Sequence, residues 1–373
     1  MKKIFFIAAV LVASVTANAK TWRINPNDAA KPDFTTLKAA CEANKVTKGD
    51  SLYCEPGLYT NANDNKITKN GLTILGPGFG YKGNVGSTST NAEAYFSATL
   101  YLQADTLHIV GIKAETILFG KYSLKNITIE RCYINDIDNN HNYGGNYITI
   151  RDNFINNKNA YNAVYLEGSS SYPLQNIEIE NNIIISDYTT AYTAIRVQAS
   201  VYTSALIAHN TIVVDIKYNS SNFSAIRADY SVIRDNIIIN TNSTLANSYI
   251  LNSSSISTCD VYNNVFSLTE DNADAAFVSA YSAKNSFAGA TTANTFTCTK
   301  IGEAEATYYQ LKDGSVAKNK AYQGEDCGAF AGSWPFVVEG RPQGLPYIYD
   351  VYAPTTPTDD KLTITFKVKA NNE

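Results

Sequence analysis

Six stretches of the chain repeat one pattern: an aliphatic residue, two variable residues, a polar slot, one further residue, then an apolar one. They are Ile129-Glu-Arg-Cys132-Tyr-Ile134, Ile150-Arg-Asp-Asn153-Phe-Ile155, Ile179-Glu-Asn-Asn182-Ile-Ile184, Ile207-Ala-His-Asn210-Thr-Ile212, Ile233-Arg-Asp-Asn236-Ile-Ile238 and Val261-Tyr-Asn-Asn264-Val-Phe266. The slot recurs every 21 to 29 residues. β-branched strands and polar turns at such a period mark stacked β coils. A helical repeat would need apolar residues three and four apart through each unit, and these units lack them. In a parallel β-helix, equivalent residues of successive coils stand about 4.8 Å apart. A buried Asn can then pass its amide hydrogen bonds to the Asn of the next coil. The expectation is a buried ladder of Asn153, Asn182, Asn210, Asn236 and Asn264, with Cys132 in the slot at one end and Ile112 one coil earlier.

A second ladder lies in Val164-Tyr165-Leu166-Glu167, Ile195-Arg196-Val197-Gln198, Ile226-Arg227-Ala228-Asp229 and Ile250-Leu251-Asn252. Strand alternation turns Val164, Ile195, Ile226 and Ile250 inward. Tyr165, Arg196 and Arg227 then form one outward column, with Glu167, Gln198 and Asp229 beside it.

The ends of the chain read differently. Lys2 and Lys3, the apolar run Ile4 to Val15 and Ala17-Asn18-Ala19 make a cleavable signal peptide over residues 1–19. The run is too short to span a bilayer, and none of about 20 residues follows. An exported protein, secreted or held at the cell surface, is expected. The formal net charge of -4 becomes -6 without the two lysines, which argues against nucleic acid as a partner. The 26 tyrosines beside one methionine suit a β-rich chain with an aromatic surface. Six cysteines without CxxC pairs give no zinc site and allow 15 disulfide connectivities. Cys41 with Cys54 is the preferred pair, against two plain buried thiols.

Residues 20–60 read as an N-terminal cap: a helix starting near Thr35, a turn at Gly49-Asp50, a strand at Ser51 to Cys54 and a turn at Pro56-Gly57. A helix there would cover the open end of the coils. The coils proper occupy 61–300 and a closing segment 301–350. Over 351–373, a linker leads to a last strand in which Leu362, Ile364, Phe366 and Val368 alternate with polar residues. That strand is expected to fold back on the body, the alternative being a sorting or partner-binding tail.

The cap, the coil start "LTILGPGFGY" and the Asn repeats together resemble secreted bacterial right-handed parallel β-helix proteins of the pectin-lyase-like group. Tyr308 to Phe330 resembles their closing segment, with its Leu-x-x-Gly-Ser-x-Ala start and Asp-x-Gly-Ala-Phe end. The resemblance implies an all-β, single-stranded right-handed parallel β-helix, and a polysaccharide as partner.

Candidate chemistry follows the second ladder. From slot to second strand the chain takes 11 to 16 residues, and these turns carry Tyr161, Tyr188, Tyr192, Tyr218 and Phe223. Aromatic faces stack on sugar rings and arginines grip carboxylates bidentately. Tyr165, Glu167, Arg196, Arg227, Asp229, Tyr188, Tyr192 and Tyr218 are therefore the expected glycan-binding residues. The plainer reading pairs Glu167 and Asp229 with Arg196 and Arg227 and leaves the tyrosines as turn covers. A lyase would use Arg196, Arg227 and Tyr165 as neutralising cation and base, with calcium on Glu167 and Asp229. None of the family's lyase signatures is intact around them. The Asn-Thr-Asp, Gly-His-Gly and Arg-Ile-Lys strings of a polygalacturonase are absent. His108 and His209 read as wall or turn residues. "NDIDNNHNYGGN", with Asp136, Asp138, Asn139 and His141, reads as an ordinary loop rather than a calcium site. No cofactor or metal is expected. The leading expectation is non-catalytic polysaccharide binding. The alternatives are a polysaccharide lyase on an acidic glycan, and a structural or adhesive surface protein that meets another protein through its C-terminal strand.

Overall fold

The computed structural model describes residues 19–79, 93–139, 142–186, 193–198, 204–216, 224–242, 250–251, 258–267, 285–297, 306–338, 340–342, 346–352, 361 and 364–370. Among these, the chain winds as a parallel β-helix with three walls. The first wall is a ten-stranded sheet, from Thr21–Ile24 and Ser51–Cys54 through Lys125–Glu130, Gly145–Arg151, Leu174–Glu180, Ala205–Ala208 and Val232–Arg234 to Asp260–Tyr262. The other two walls share a fourteen-stranded sheet. The second holds Phe154–Asn157, Ile183–Ser186, Thr211–Val214, Ile237–Asn240 and Val265–Phe266, and the third Asn162–Glu167, Thr193–Gln198 and Ser224–Ala228. Tyr133–Asp138 serves both, pairing with the second wall at Ile134 and the third at Ile137.

Register fixes the core. Ile109, Ile129, Ile150, Ile179, Ile207, Ile233 and Val261 align on the first wall. Ile134, Ile155, Ile184, Ile212, Ile238 and Phe266 align on the second. All are buried. Each such side chain contributes about 1.5 to 3 kcal/mol on leaving water.

The corner between these walls is the polar slot. Asn153, Asn182, Asn210, Asn236 and Asn264 are wholly buried, and each Nδ2 donates to the Oδ1 of the next at 2.9 to 3.0 Å. The same oxygen accepts the backbone N–H of the previous slot residue, beginning with Cys132. The residue before the slot bends the chain in the left-handed region in every coil: Arg131, Asp152, Asn181, His209, Asp235 and Asn263 have φ of 50 to 58°. Four of the six are Asn or Asp, a residue class that tolerates this region.

The second wall is apolar on both faces, which explains runs such as Ile183-Ile184-Ile185. Its outer face, with Phe154, Ile183, Ile185, Val213, Ile237 and Ile239, is covered by Phe296, Tyr309, Ala317, Cys327, Ala329 and Phe336. The closing segment is therefore a strap that lies along the coils.

At the N-terminus, helix Leu37–Glu42 is capped by Thr36, whose side chain accepts from Ala39 N at 3.0 Å, and buries Leu37, Ala40 and Cys41. Strands Thr21–Ile24 and Ser51–Cys54, within the stretch read as a cap, already belong to the first wall. Gly57 opens strand Gly57–Tyr59. Three expectations are corrected. Cys41 and Cys54 are free buried thiols, not a disulfide. Asn135 to Asp138 belong to a strand, because their alternation continues the pairing with Lys113–Phe119, so the loop is shorter than its polar composition implies. The C-terminal strand Thr365–Ala370 pairs antiparallel with Pro346–Tyr352 instead of the coils, and Ile364, Phe366 and Val368 are exposed.

Candidate functional site

The third wall brings the expected column together. Tyr165 faces Arg196, Arg196 faces Arg227, and Glu167 faces Gln198 in register. Their inward neighbours Val164, Ile195 and Ile226 are buried, so alternation turns the polar set outward, but Tyr165, expected as an open stacking face, is only 4% exposed. The Arg196 guanidinium lies 4.7 Å from the centre of the Tyr165 ring, and its Nε donates to Gln198 Oε1 at 2.7 Å. Tyr165 donates its hydroxyl to Glu167. Burial pushes the Tyr165 phenol up, and the bond to Glu167 adds to the rise.

Arg227 is held differently. Its Nε is buried and has no hydrogen-bond partner among the described residues. Aligned like charges on adjacent strands repel, and a buried donor left unmade costs about 1 to 3 kcal/mol. An anion lying across Arg196 and Arg227 would relieve the repulsion.

Asp229 follows the last paired residue, Ala228, and its N–H donates to Val197 O at 3.3 Å. Tyr161 stands exposed before Asn162. Tyr188, Tyr192, Tyr218 and Phe223 lie outside the described residues, as do residues 1–18, His141 and Cys298.

Asn139 has a role that its place in a polar loop concealed. It is fully buried, and its amide brackets Glu167: Nδ2 donates to the carbonyl at 2.7 Å and Oδ1 accepts the N–H at 2.9 Å. Its polar atoms thus fix the strand that carries Glu167. Asp136 accepts from Thr116 Oγ1 at 2.9 Å and from Asn135 Nδ2 at 2.7 Å, while burial pushes its carboxyl up to about 6. Among the described residues, no three His, Cys, Asp or Glu gather as a metal set. His108 lies on the first wall with Nε2 2.8 Å from Glu130 Oε1, and His209 occupies a left-handed corner.

The coils, the ladder and the strand order give the chain a parallel β-helix fold. No protein-family model matches the sequence, and no curated protein does. Among solved structures, the crystal structure of pectate lyase Pel9A is similar, with a TM-score of 0.39 and 16% identity, covering 84% of this chain and 98% of that one. The likeness assigns no residue of this chain a role. No helix among the described residues is long and apolar enough to cross a membrane.

Proposed function

We propose that the protein binds an acidic polysaccharide along its third wall, outside the cytoplasm. The observation that carries this reading is the aligned Arg196 and Arg227, one stacked on Tyr165 and the other with a buried Nε lacking a partner. Successive coils repeat at about 4.8 Å. The wall thus offers two cations along a line, with Arg196 held over the buried Tyr165 ring, which suits an extended chain bearing carboxylates. Arg guanidinium groups grip carboxylates through paired N–H donors, whereas a neutral glycan would leave the charge pair unrelieved.

Lyase chemistry on the same wall has weaker support. Elimination needs a base near the acidic C–H. Tyr165 donates to Glu167 and its phenol is pushed up, the opposite of what a base at neutral pH requires.

The test is affinity electrophoresis of the protein against polygalacturonate, alginate and neutral galactan, with absorbance at 235 nm read in parallel. The expected result is retardation by a polyuronate, weakened at least tenfold in Arg196→Ala and Arg227→Ala, without a rise in absorbance. Equal retardation of wild type and variants, or none by either polyuronate, would overturn the reading. A rise in absorbance would replace binding with catalysis.

A further inference from the structure

A different face of the molecule holds a cavity. On the first wall, the outward residues next to the corner align as Glu130, Arg151, Glu180, Ala208, Arg234 and Tyr262. Long side chains fill this column except at Ala208. Glu180 and Arg234 consequently stand two strand spacings apart, roughly 10 Å, with only a methyl group between them. The strap passes over this place through Tyr322, Glu325, Gly332 and Trp334, leaving a cavity of about 240 Å³ between strap and wall.

The lining is polar and incompletely satisfied. His209, next to Ala208, lines the cavity and is 6% exposed, yet its Nδ1 is buried without a hydrogen-bond partner among the described residues. Its Nε2 lies 3.5 Å from Asp235 Oδ2. Gly332 sits against the ring, where a Cβ would come within 2.9 to 3.0 Å of three ring atoms. The strap can close over the imidazole only because that position has no side chain. Trp334 is 51% exposed and carries the Arg151 guanidinium 3.9 Å from its ring centre. Burial holds the Glu180 carboxyl above its usual range, with Glu178 adding to the rise against Arg234 and Arg151.

We propose that this cavity is a second carbohydrate site, which takes one sugar ring or the end of a glycan chain. Arg234 donates to ring hydroxyls from one wall and Glu180 accepts from the other. Gln323 of the strap supplies a third polar contact, and the indole of Trp334 offers an apolar face at the rim. The volume is below the range of about 300 to 1,000 Å³ that holds drug-sized ligands, which fits a single ring better than an oligomer. The site lies on the first wall and uses none of the residues assigned to the polysaccharide face, so the two readings stand or fall separately.

Trp22 and Trp334 are the two tryptophans of the chain, so Trp22→Phe leaves Trp334 as the reporter. The experiment titrates this variant of the full mature protein with glucose, galactose, rhamnose, glucuronate and galacturonate, reading indole fluorescence. The expected result is a saturable change with at least one sugar, weakened at least tenfold when Ser333→Met projects into the cavity. Thermal melting checks that the filled variant folds, and Glu180→Gln replaces it if it does not. Retardation by polyuronate is expected to survive Ser333→Met, which separates this site from the third wall. The proposal is overturned if no sugar of the panel gives a saturable change, or if the cavity variants bind as the parent does.

Discussion

The backbone N–H of Val337 donates to Oδ1 of Asp152 at 2.6 Å, joining positions 185 residues apart. It is one of a row of such ties. Asn181 Nδ2 donates to Ala329 O at 3.0 Å, Asp235 Oδ1 accepts Tyr322 N at 2.9 Å, and Arg131 donates to Arg341 O at 3.1 Å. All four coil residues sit at the left-handed corner position. The bend that turns the chain from first wall to second therefore also aims side chains at the strap.

Asp152→Ala should release the middle of the strap. It removes the acceptor for Val337 and leaves Arg131, whose side chain is 14% exposed, without its 2.9 Å carboxylate partner. The expected cost is about 2 to 4 kcal/mol. Limited proteolysis should cut within 306–342 well before the coils unfold. Cleavage at the wild-type rate would mean that the apolar cover alone holds the strap.

Asn182→Leu tests the ladder. Asn153 N and Nδ2 both donate to Asn182 Oδ1, and the carbonyls of Ile150 and Glu180 accept from its Nδ2. Removing them all at a buried site should lower stability by roughly 2 to 4 kcal/mol, read by chemical denaturation. A neutral result would mean that the neighbouring amides find other partners.

The Asn ladder and the strand ladder of the third wall were legible because each rests on a strict local pattern: one buried polar residue per coil, and alternation of period two. Ser51 to Cys54 was readable for the same reason. The strap was not. Its contacts are small residues such as Ala317, Ala329 and Gly332 against a distant wall, and no periodicity announces them. Asn139 and the gap at Ala208 escaped for a related reason, since both acquire meaning only from register with other coils. The C-terminal strand was readable as a strand, but alternation does not name its partner, which is Pro346–Tyr352.

Glu130 should shape the acid limb of stability. Burial alone would raise its carboxyl, but hydrogen bonds and charge from His108 and Arg151 outweigh it and hold the group at about 2. The folded value lies below the unfolded one, so this stabilisation is complete above about pH 4.5 and is lost as pH falls toward 2. Its size is on the order of 2 to 3 kcal/mol for a side chain 14% exposed. Glu130→Gln should give a shallower decline of melting temperature over that window. An unchanged slope would place the acid sensitivity in other carboxylates.

The thiols give an independent check on the core. Cys41, Cys54, Cys132 and Cys327 are at most 4% exposed, while Cys259 is partly open. Burial raises all five, which leaves little thiolate to react. Among these five, native labelling followed by peptide mass mapping should find Cys259 modified first and the other four only after denaturation. A Cys41–Cys54 linked peptide would overturn the free-thiol assignment.

Arg227→Leu separates function from stability most sharply. In the free protein, Arg227 aligns with Arg196 and buries an Nε without a partner. Replacing it with an apolar side chain removes a like-charge neighbour and an unmade donor, so the variant should melt at the same or a higher temperature, by about 0.2 to 1 kcal/mol. A bound polyuronate stabilises the folded state by mass action. It should therefore raise the melting temperature of the wild type and have far less effect on Arg227→Leu. If the variant is instead destabilised and still stabilised by polyuronate, Arg227 is a structural residue, and the cations that meet the glycan lie elsewhere on the coils.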